Sequence, residues 1–361
     1  MRIGIDAREL CGRATGVGRY LGGLLREWAT SHRSHEFVLY APAPIGMPLD
    51  TRRFATRMVQ GAGGSWWEQI DLPRAAPADH LDAWFAPAYT APLRLPLPVV
   101  VTIHDISFVA HPEWFRLRDG ARRRWLVRRV AAKAAAVITV SQFSRRELID
   151  RLEVADSKIH VIPNGIDRVN RAAIEPPRAG VPRLLYVGSI FNRRHVPDLI
   201  RAFAPIARSR PDAALDIVGD NRSHPYQDLR ATIAAEGLSD QVRWHEYATD
   251  EQLRDLYAGA GAFAFLSEYE GFGLTPLEAL ARGIPPVLLD TPAARETCGE
   301  AAVYVRGGVV PAMTAAIETA LFDRTERARI HAAAPAQLAL FSWTRSAADT
   351  LAVIEQAAAV R

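Results

Sequence analysis

The chain holds 361 residues, nearly half of them apolar, and carries a formal net charge of +4 at pH 7. That length is more than one core usually supports and predicts two globular domains, while the absence of low-complexity segments excludes a fibrous or disordered chain. No apolar run approaches the roughly 20 residues that span a bilayer, and the two cysteines, Cys11 and Cys298, lie too far apart in sequence for a disulfide framework or a zinc site, which fits a reducing cytosol.

Met1-Arg-Ile-Gly-Ile-Asp6 meets an acid at its sixth residue and reads as a first strand rather than a signal peptide. Strands are expected at 3–6, 37–40, 83–86, 99–104 and 136–140, with helices at 17–31, 116–133 and 142–152. The stretch 168–182, with Pro176, Pro177, Gly180 and Pro182, breaks the rhythm and reads as a linker. The rhythm then repeats. Strands are expected at 183–187, 214–218, 242–245, 262–266 and 286–289, and helices at 196–208, 226–236, 250–258, 276–282 and 310–321. Such βα alternation implies an α/β fold whose parallel sheets are covered on both faces. Two doubly wound domains facing each other would leave a cleft lined by strand C-terminal ends, where ligands bind in this architecture.

Chemistry-bearing residues cluster after these strands. Thr15-Gly-Val-Gly-Arg-Tyr20 opens a helix, and Gly16 and Gly18 permit close backbone approach to an anionic group. Glycine turns also join βα units that bind nothing. No Gly-Lys-Ser/Thr follows Gly12, so this is not a Walker A loop, and the acid that completes a dinucleotide fingerprint is missing. His104-Asp105 ends the apolar strand that begins at Val99, at the rim of the expected cleft. Arg116, Arg118, Arg122, Arg123, Arg124, Arg128, Arg129 and Lys133 crowd a segment that also holds Trp114, Phe115 and Trp125. As a helix this suits an anionic membrane surface; a solvated arginine face is the alternative. No nucleic-acid-binding motif accompanies it.

Ser141 reads as a helix cap with Ser144 in the first turn, and Val161-Ile-Pro-Asn-Gly-Ile-Asp167 as a strand ending in a turn with Asn164 and Gly165 in left-handed positions, on the hinge side of the cleft. In Tyr186-Val-Gly-Ser-Ile-Phe-Asn-Arg-Arg-His195, Gly188 frees the strand end, and Arg193 and Arg194 stand before a helix. Two guanidiniums beside a helix N-terminus suit a diphosphate. Glu270-Gly-Phe-Gly-Leu-Thr-Pro-Leu-Glu278 follows a buried strand and places two carboxylates around a glycine loop. Thr275 is expected as N-cap, Pro276 at the first helical position and Glu278 at the third, where it could simply complete a capping box.

The order and spacing of these motifs resemble the retaining glycosyltransferases of family 4 over essentially the whole chain. The matching segments include Gly16-Val-Gly-Arg-Tyr20, Trp66-Trp-Glu-Gln-Ile-Asp-Leu-Pro73, Thr102-Ile-His-Asp-Ile-Ser-Phe108, Val140-Ser-Gln-Phe-Ser-Arg-Arg-Glu-Leu148, Val161–Asp167, Glu270 to Glu278 and Phe341-Ser-Trp343. The resemblance implies a GT-B fold: two facing Rossmann-like domains with parallel sheets and a C-terminal crossover helix. Residues 1–170 and about 343–361 would form the acceptor domain, and 171–342 the nucleotide-sugar donor domain. Glu270 would contact the donor sugar near the reacting carbon, and Glu278 the ribose. Arg193 and Arg194 would bind the diphosphate, aided by Gly188 and by backbone amides around Phe272, Gly273, Leu274 and Thr275. Gly16 and Gly18 would close over the phosphates or shape the acceptor pocket, His104 would hydrogen-bond the donor sugar, and Asp105 would contact the acceptor. The family's basic pair is usually Arg-Lys followed by Gly or Asn; here Arg194 and His195 depart from it.

The implied reaction transfers a hexose, mannose from GDP-mannose by family habit, with retention and without a metal or other cofactor. No Asp-x-Asp metal motif stands out. The implied acceptor is a polyprenyl-linked or oligosaccharide glycan in cell-surface lipopolysaccharide or exopolysaccharide synthesis. The implied setting is the cytoplasm, peripherally on the inner face of the plasma membrane. A soluble UDP-sugar-dependent transferase making a small glycoside, a sugar-nucleotide epimerase of the same architecture and a non-catalytic partner subunit are the rival readings.

Overall fold

The computed structural model describes residues 1–12, 15–30, 35–50, 52–61, 63–167 and 182–359. Contacts divide the chain into two compact units. The first comprises Met1–Ala110, Leu117–Gly165 and Phe341–Arg361, and the second His111–Arg116 and Ile166–Leu340. The expected linker, residues 168–182, lies outside the described residues except Pro182, as does residue 31 of the first expected helix.

Strands β1 (Arg2–Asp6), β2 (Glu36–Ala41), β3 (Phe54–Met58), β4 (Ala83–Ala86), β5 (Val99–Thr102), β6 (Ala136–Thr139) and β7 (Ile159–Val161) form a seven-stranded sheet in the order β3-β2-β1-β4-β5-β6-β7. Strands β8 (Arg183–Val187), β9 (Ala214–Val218), β10 (Val242–His245), β11 (Ala262–Phe265), β12 (Pro286–Leu289) and β13 (Val303–Val305) form a second sheet in the order β10-β9-β8-β11-β12-β13. Every pairing in both is parallel. The two orders are the doubly wound pattern, so the α/β class and the two Rossmann-like units stand as expected. In each sheet the strand order reverses beside the first strand, between β1 and β4 and between β8 and β11. Ligands bind at such points because flanking loops diverge there and open a crevice.

Central strands were legible as unbroken apolar runs; all four residues of β4 and of β11 are buried. The strands not foreseen are edges. In β3, Phe54 is buried and Thr56, Arg57 and Met58 are exposed, so apolar periodicity is lost. Strand β13 has only three residues. Helix Arg324–Leu338 was also unforeseen: it buries Ile330 and Ala334 and carries Pro335 inside it, so no apolar stripe marks it.

The returning helix Trp343–Ala359 packs on the first unit. Trp28 of helix Gly16–Thr30 stacks on Phe37 at 5.2 Å and donates from Nε1 to the carbonyl of Ala347 at 2.9 Å. Trp343 seats where two glycines leave room. A Cβ on Gly23 would lie 2.6 Å from its ring, and one on Gly165 would lie 2.2 Å from its backbone nitrogen. This corrects the turn reading of Asn164-Gly165. Neither residue has positive φ, and Gly165 is required by the close approach of Trp343.

Replacing Gly165 by alanine should therefore unseat the terminal helix. We expect a loss of about 1–3 kcal/mol from the overpacked contact, read as a lower urea midpoint by circular dichroism. An unchanged midpoint would show that Trp343 does not need the vacant Cβ position.

Candidate functional site

At the second switch point, the segment after β8 meets the segment after β11. Residues Asn192–Arg194 form a single 3-10 turn ahead of helix Val196–Ser209. Arg193 is only 7% exposed. Its Nε donates to the carbonyl of Tyr269 at 3.1 Å and lies 3.8 Å from Glu270 Oε1, while its guanidinium sits over Phe191 at 4.6 Å. Among the described residues, neither terminal nitrogen of Arg193 has a hydrogen-bond partner. Residual exposure leaves these nitrogens within reach of a ligand, and their N–H groups are suited to an anion.

Arg194 is held more fully. Its Nε donates to Glu270 Oε1 at 2.7 Å and its Nη1 to the carbonyl of Ser189 at 2.7 Å. Burial opposes its charge, but Glu270 and the neighbouring Tyr186 outweigh that cost and hold the proton more tightly than usual. Burial pushes the Tyr186 hydroxyl up to about 12. Glu270 also accepts from Ser267 Oγ at 2.9 Å. It therefore has a structural duty as counter-ion to Arg194.

A Cβ on Gly188 would lie 3.0 Å from Arg194 Nη1 and 3.2 Å from Phe265, and one on Gly219 would lie 2.0 Å from the carbonyl of Gly188. These strand ends are packed so closely that the guanidinium is seated without slack.

The glycine loop follows. Gly273, with φ 114°, is the N-cap of helix Leu274–Ala281, and no side chain caps that end. The expected cap at Thr275 is wrong by two positions. Glu278 is the fifth helical residue, not the third, and it accepts from Tyr257 Oη at 3.3 Å. The capping-box alternative for Glu278 falls with the shifted start. Leu274 and Thr275 are partly exposed and sit in the first turn, where amides have no intrahelical partner. With the helix dipole, such amides attract an anion. Thr297 Oγ1 donates to the carbonyl of Phe272 at 2.6 Å and fixes the loop from behind.

At the first switch point the structure gathers residues that sequence reading gave no role. Asp6 ends β1 and is 2% exposed; Arg8 Nε donates to both its oxygens, at 3.0 and 2.9 Å. Arg8 Nη2 also lies 2.9 Å from Glu68 Oε2, and the guanidinium sits 5.1 Å above the Trp67 ring. Thr90, beyond β4, donates to Glu68 at 2.9 Å. Burial, with help from Asp6, raises the Glu68 pKa against the pull of Arg8 and Thr90. The signal available in the sequence was Trp67-Glu68-Gln69, quoted for the resemblance only. Asp6 and Arg8 were hidden as the tail of a strand.

Gly16 and Gly18 differ from each other. Nothing lies within 4 Å of a Cβ built on Gly16, whereas one on Gly18 would lie 2.5 Å from the carbonyl of Glu9. Gly18 thus serves helix packing, and Thr15 Oγ1 accepts from its amide at 3.0 Å.

His104 is framed edge-on by Tyr20 and Tyr89, at 4.8 and 5.6 Å, and its Nε2 donates to the carbonyl of Pro87 at 2.8 Å. That bond fixes the tautomer and leaves Nδ1 as an acceptor. Asp105 accepts from Tyr89 Oη at 3.1 Å and from the Ser107 amide at 2.8 Å. Ser141 caps its helix as expected, accepting from Ser144 at 3.0 Å. Among the described residues, no three His, Cys, Asp or Glu gather as metal ligands, and no helix is long and apolar enough to cross a membrane. Helix Leu117–Lys133 buries Leu126, Val127, Val130 and Ala131. It exposes Arg118, Arg122, Arg123, Arg128 and Arg129 together with Leu117 and Trp125.

Burial lowers the pKa of His104 below its ordinary value, against the opposing pull of Pro87 and Asp105. The unfolded chain then binds a proton that the folded chain refuses, so stability falls as pH drops through about 6.5 and below. His104→Gln keeps a donor for Pro87 and should flatten part of the decline measured by urea titration between about pH 7 and 5. His160, also lowered by burial, is common to both proteins and cancels. An identical pH slope would contradict a lowered pKa for the partly buried His104 imidazole.

Comparison with known proteins follows the same division. Residues 14–169 match the sequence profile of Glycosyltransferase Family 4, and residues 169–337 that of Glycosyl transferases group 1. The chain is similar to the MMP alpha-(1->4)-mannosyltransferase of Mycolicibacterium hassiacum, 29% identical over 285 residues, covering 74% of this chain and 67% of that protein. It is also similar to the GDP-mannose:cellobiosyl-diphosphopolyprenol alpha-mannosyltransferase of Xanthomonas oryzae pv. oryzae, 30% identical over 232 residues, covering 62% of this chain and 58% of that protein. The solved structure of Anabaena Alr3699/HepE in complex with UDP-glucose shares the fold, with a TM-score of 0.77 at 19% identity over 97% of this chain and 99% of that one.

Proposed function

The chain belongs to the group 1 glycosyl transferases of family 4, and from that membership we propose that it moves mannose from GDP-mannose, with retention, to a lipid-linked or oligosaccharide acceptor in cell-surface polysaccharide synthesis. One observation carries the donor half of this reading. Arg193, nearly buried, keeps both terminal nitrogens without hydrogen-bond partners among the described residues, beside an uncapped helix start at Gly273. A diphosphate supplies the acceptor oxygens that both lack. Mannose and the guanine base are argued from the two mannosyltransferase relatives, one of which bears GDP-mannose and a diphosphopolyprenol in its name.

In the proposed reaction the bond from the anomeric carbon to the diphosphate oxygen breaks on the face where the bond to the acceptor oxygen forms. The acceptor hydroxyl proton passes to the departing phosphate oxygen. Arg193, Arg194 and the amides of Gly273, Leu274 and Thr275 stabilise the charge that grows on the leaving group. These cationic donors could carry that charge without a metal. Glu270, held by Arg194 and Ser267, is suited to orienting sugar hydroxyls rather than to forming a covalent intermediate. Glu278 is assigned to the ribose. His104 Nδ1 is assigned to a donor-sugar hydroxyl and Asp105 to the acceptor. The exposed arginines of helix Leu117–Lys133, with Trp125 and Leu117 among them, support peripheral attachment to the inner face of the plasma membrane.

A panel of GDP and UDP sugars tests the donor. GDP-mannose at 100 times its dissociation constant should stabilise the protein by about 2.7 kcal/mol, and Arg193→Gln should abolish the shift while its ligand-free melting stays near that of the parent. Stabilisation by UDP sugars alone would replace the donor, and none by any nucleotide sugar would remove the reading. Glu270→Gln should lower kcat by about 10²–10³, and a product of inverted anomeric configuration would rule out retention. Co-sedimentation with anionic vesicles should be strong at low salt and weak near 1 M; no binding at low salt would remove the membrane half.

A further inference from the structure

His195 is the N-cap of helix Val196–Ser209 and adopts φ 48°, ψ 35°, a left-handed conformation that non-glycine residues seldom occupy. Its side chain does not cap the helix. Both ring nitrogens face carboxylates instead: Nδ1 meets Asp198 Oδ2 at 3.0 Å, and Nε2 is hydrogen-bonded to Glu268. Both partners are carboxylate oxygens, which accept. Asp198 stands in the first turn of the same helix and is itself paired with Arg201 Nη1 at 2.7 Å. Glu268 stands on the other segment, two residues before Glu270. Backbone unfavourable in itself persists where surrounding contacts over-determine it, and such places cluster at functional sites.

We propose that His195 is a positioning residue for the nucleotide-sugar site: its ring, held between Asp198 and Glu268, clamps the loop that carries Glu270 against the turn that carries Arg193 and Arg194. The proposal deepens the donor reading above and rests on it. Three further bonds join the same two segments: the Glu268 amide to the Arg193 carbonyl at 2.9 Å, Arg193 Nε to the Tyr269 carbonyl at 3.1 Å, and Arg194 Nε to Glu270 at 2.7 Å. An arriving diphosphate draws on both arginines. The His195 contact touches neither guanidinium, so it keeps the segments in register when the ligand's charge acts on the pair. That division of labour follows from geometry: His195 is adjacent in sequence to Arg194, yet its partners are Asp198 and Glu268 rather than Glu270.

The test uses the full chain with His195→Asn, which tolerates the left-handed backbone, with Glu268→Gln, which keeps an acceptor and removes the charge, and with both together. Each single variant should keep the parent's melting temperature. Amide hydrogen exchange over residues 267–273 should quicken about tenfold while β8 and β11 hold their protection. The dissociation constant for GDP or UDP should rise about tenfold, and KM for the donor should rise with it while kcat changes little. The double variant should lose no more than the weaker-binding single, since both act through one contact. Parent-like exchange and binding in His195→Asn, or additive losses in the double variant, would overturn the proposal. A parent protein that binds no nucleotide would count against the donor reading, and the exchange measurement, which needs no ligand, then decides the clamp by itself.

Discussion

A guanidinium withdrawn from water must find a carboxylate close by, and both units of this protein are organised around that constraint. Arg194 meets Glu270 at 2.7 Å in the second unit, and Arg8 lies between Asp6 and Glu68 in the first. In the second unit the partners follow β8 and β11, strands distant in sequence but neighbours in the sheet; in the first, Asp6 and Arg8 stand at the end of β1 and Glu68 in the helical stretch between β3 and β4. Pairing them therefore closes the switch point of the sheet. Breaking such a pair leaves a buried charge uncompensated, which costs more than forming it gains. The pairs are better understood as devices of register than as sources of net stability.

The two switch points differ in their balance of charge. In the second unit two guanidiniums, Arg193 and Arg194, face one carboxylate, Glu270, beside a helix start that adds positive potential. The surplus is positive, and an anion is the natural guest. In the first unit two carboxylates face one guanidinium, and burial raises the Glu68 pKa in response. A second anion is disfavoured there. Hydroxyl-rich groups, which donate and accept without charge, suit those surroundings.

Glycine does different work at each place. Gly273 supplies a positive φ at the head of its helix. Gly18, Gly23, Gly165 and Gly219 instead leave out a Cβ that would collide with a neighbour. The last kind governs architecture: Gly23 and Gly165 lie far apart in sequence and together make the seat for Trp343, so the chain's end returns to the unit in which it began.

By itself the sequence determined the α/β class, the two-unit rhythm and most central strands, because strands buried on both faces must be unbroken apolar runs and helices between them must carry a stripe. It also disclosed Arg193, Arg194, Glu270 and His104-Asp105 as candidates, since each sits directly after such a run. Only the tertiary structure decided which charges are partnered. Glu68 is remote from Asp6 and Arg8 in sequence, Thr90 meets Glu68 across 22 residues, and His195 meets Glu268 across 73. The start of helix Leu274–Ala281 and the edge strands β3 and β13 were likewise settled by packing. Local propensity is a short-range property, whereas counter-ions, caps and vacant Cβ positions are set by neighbours that the chain brings together only on folding.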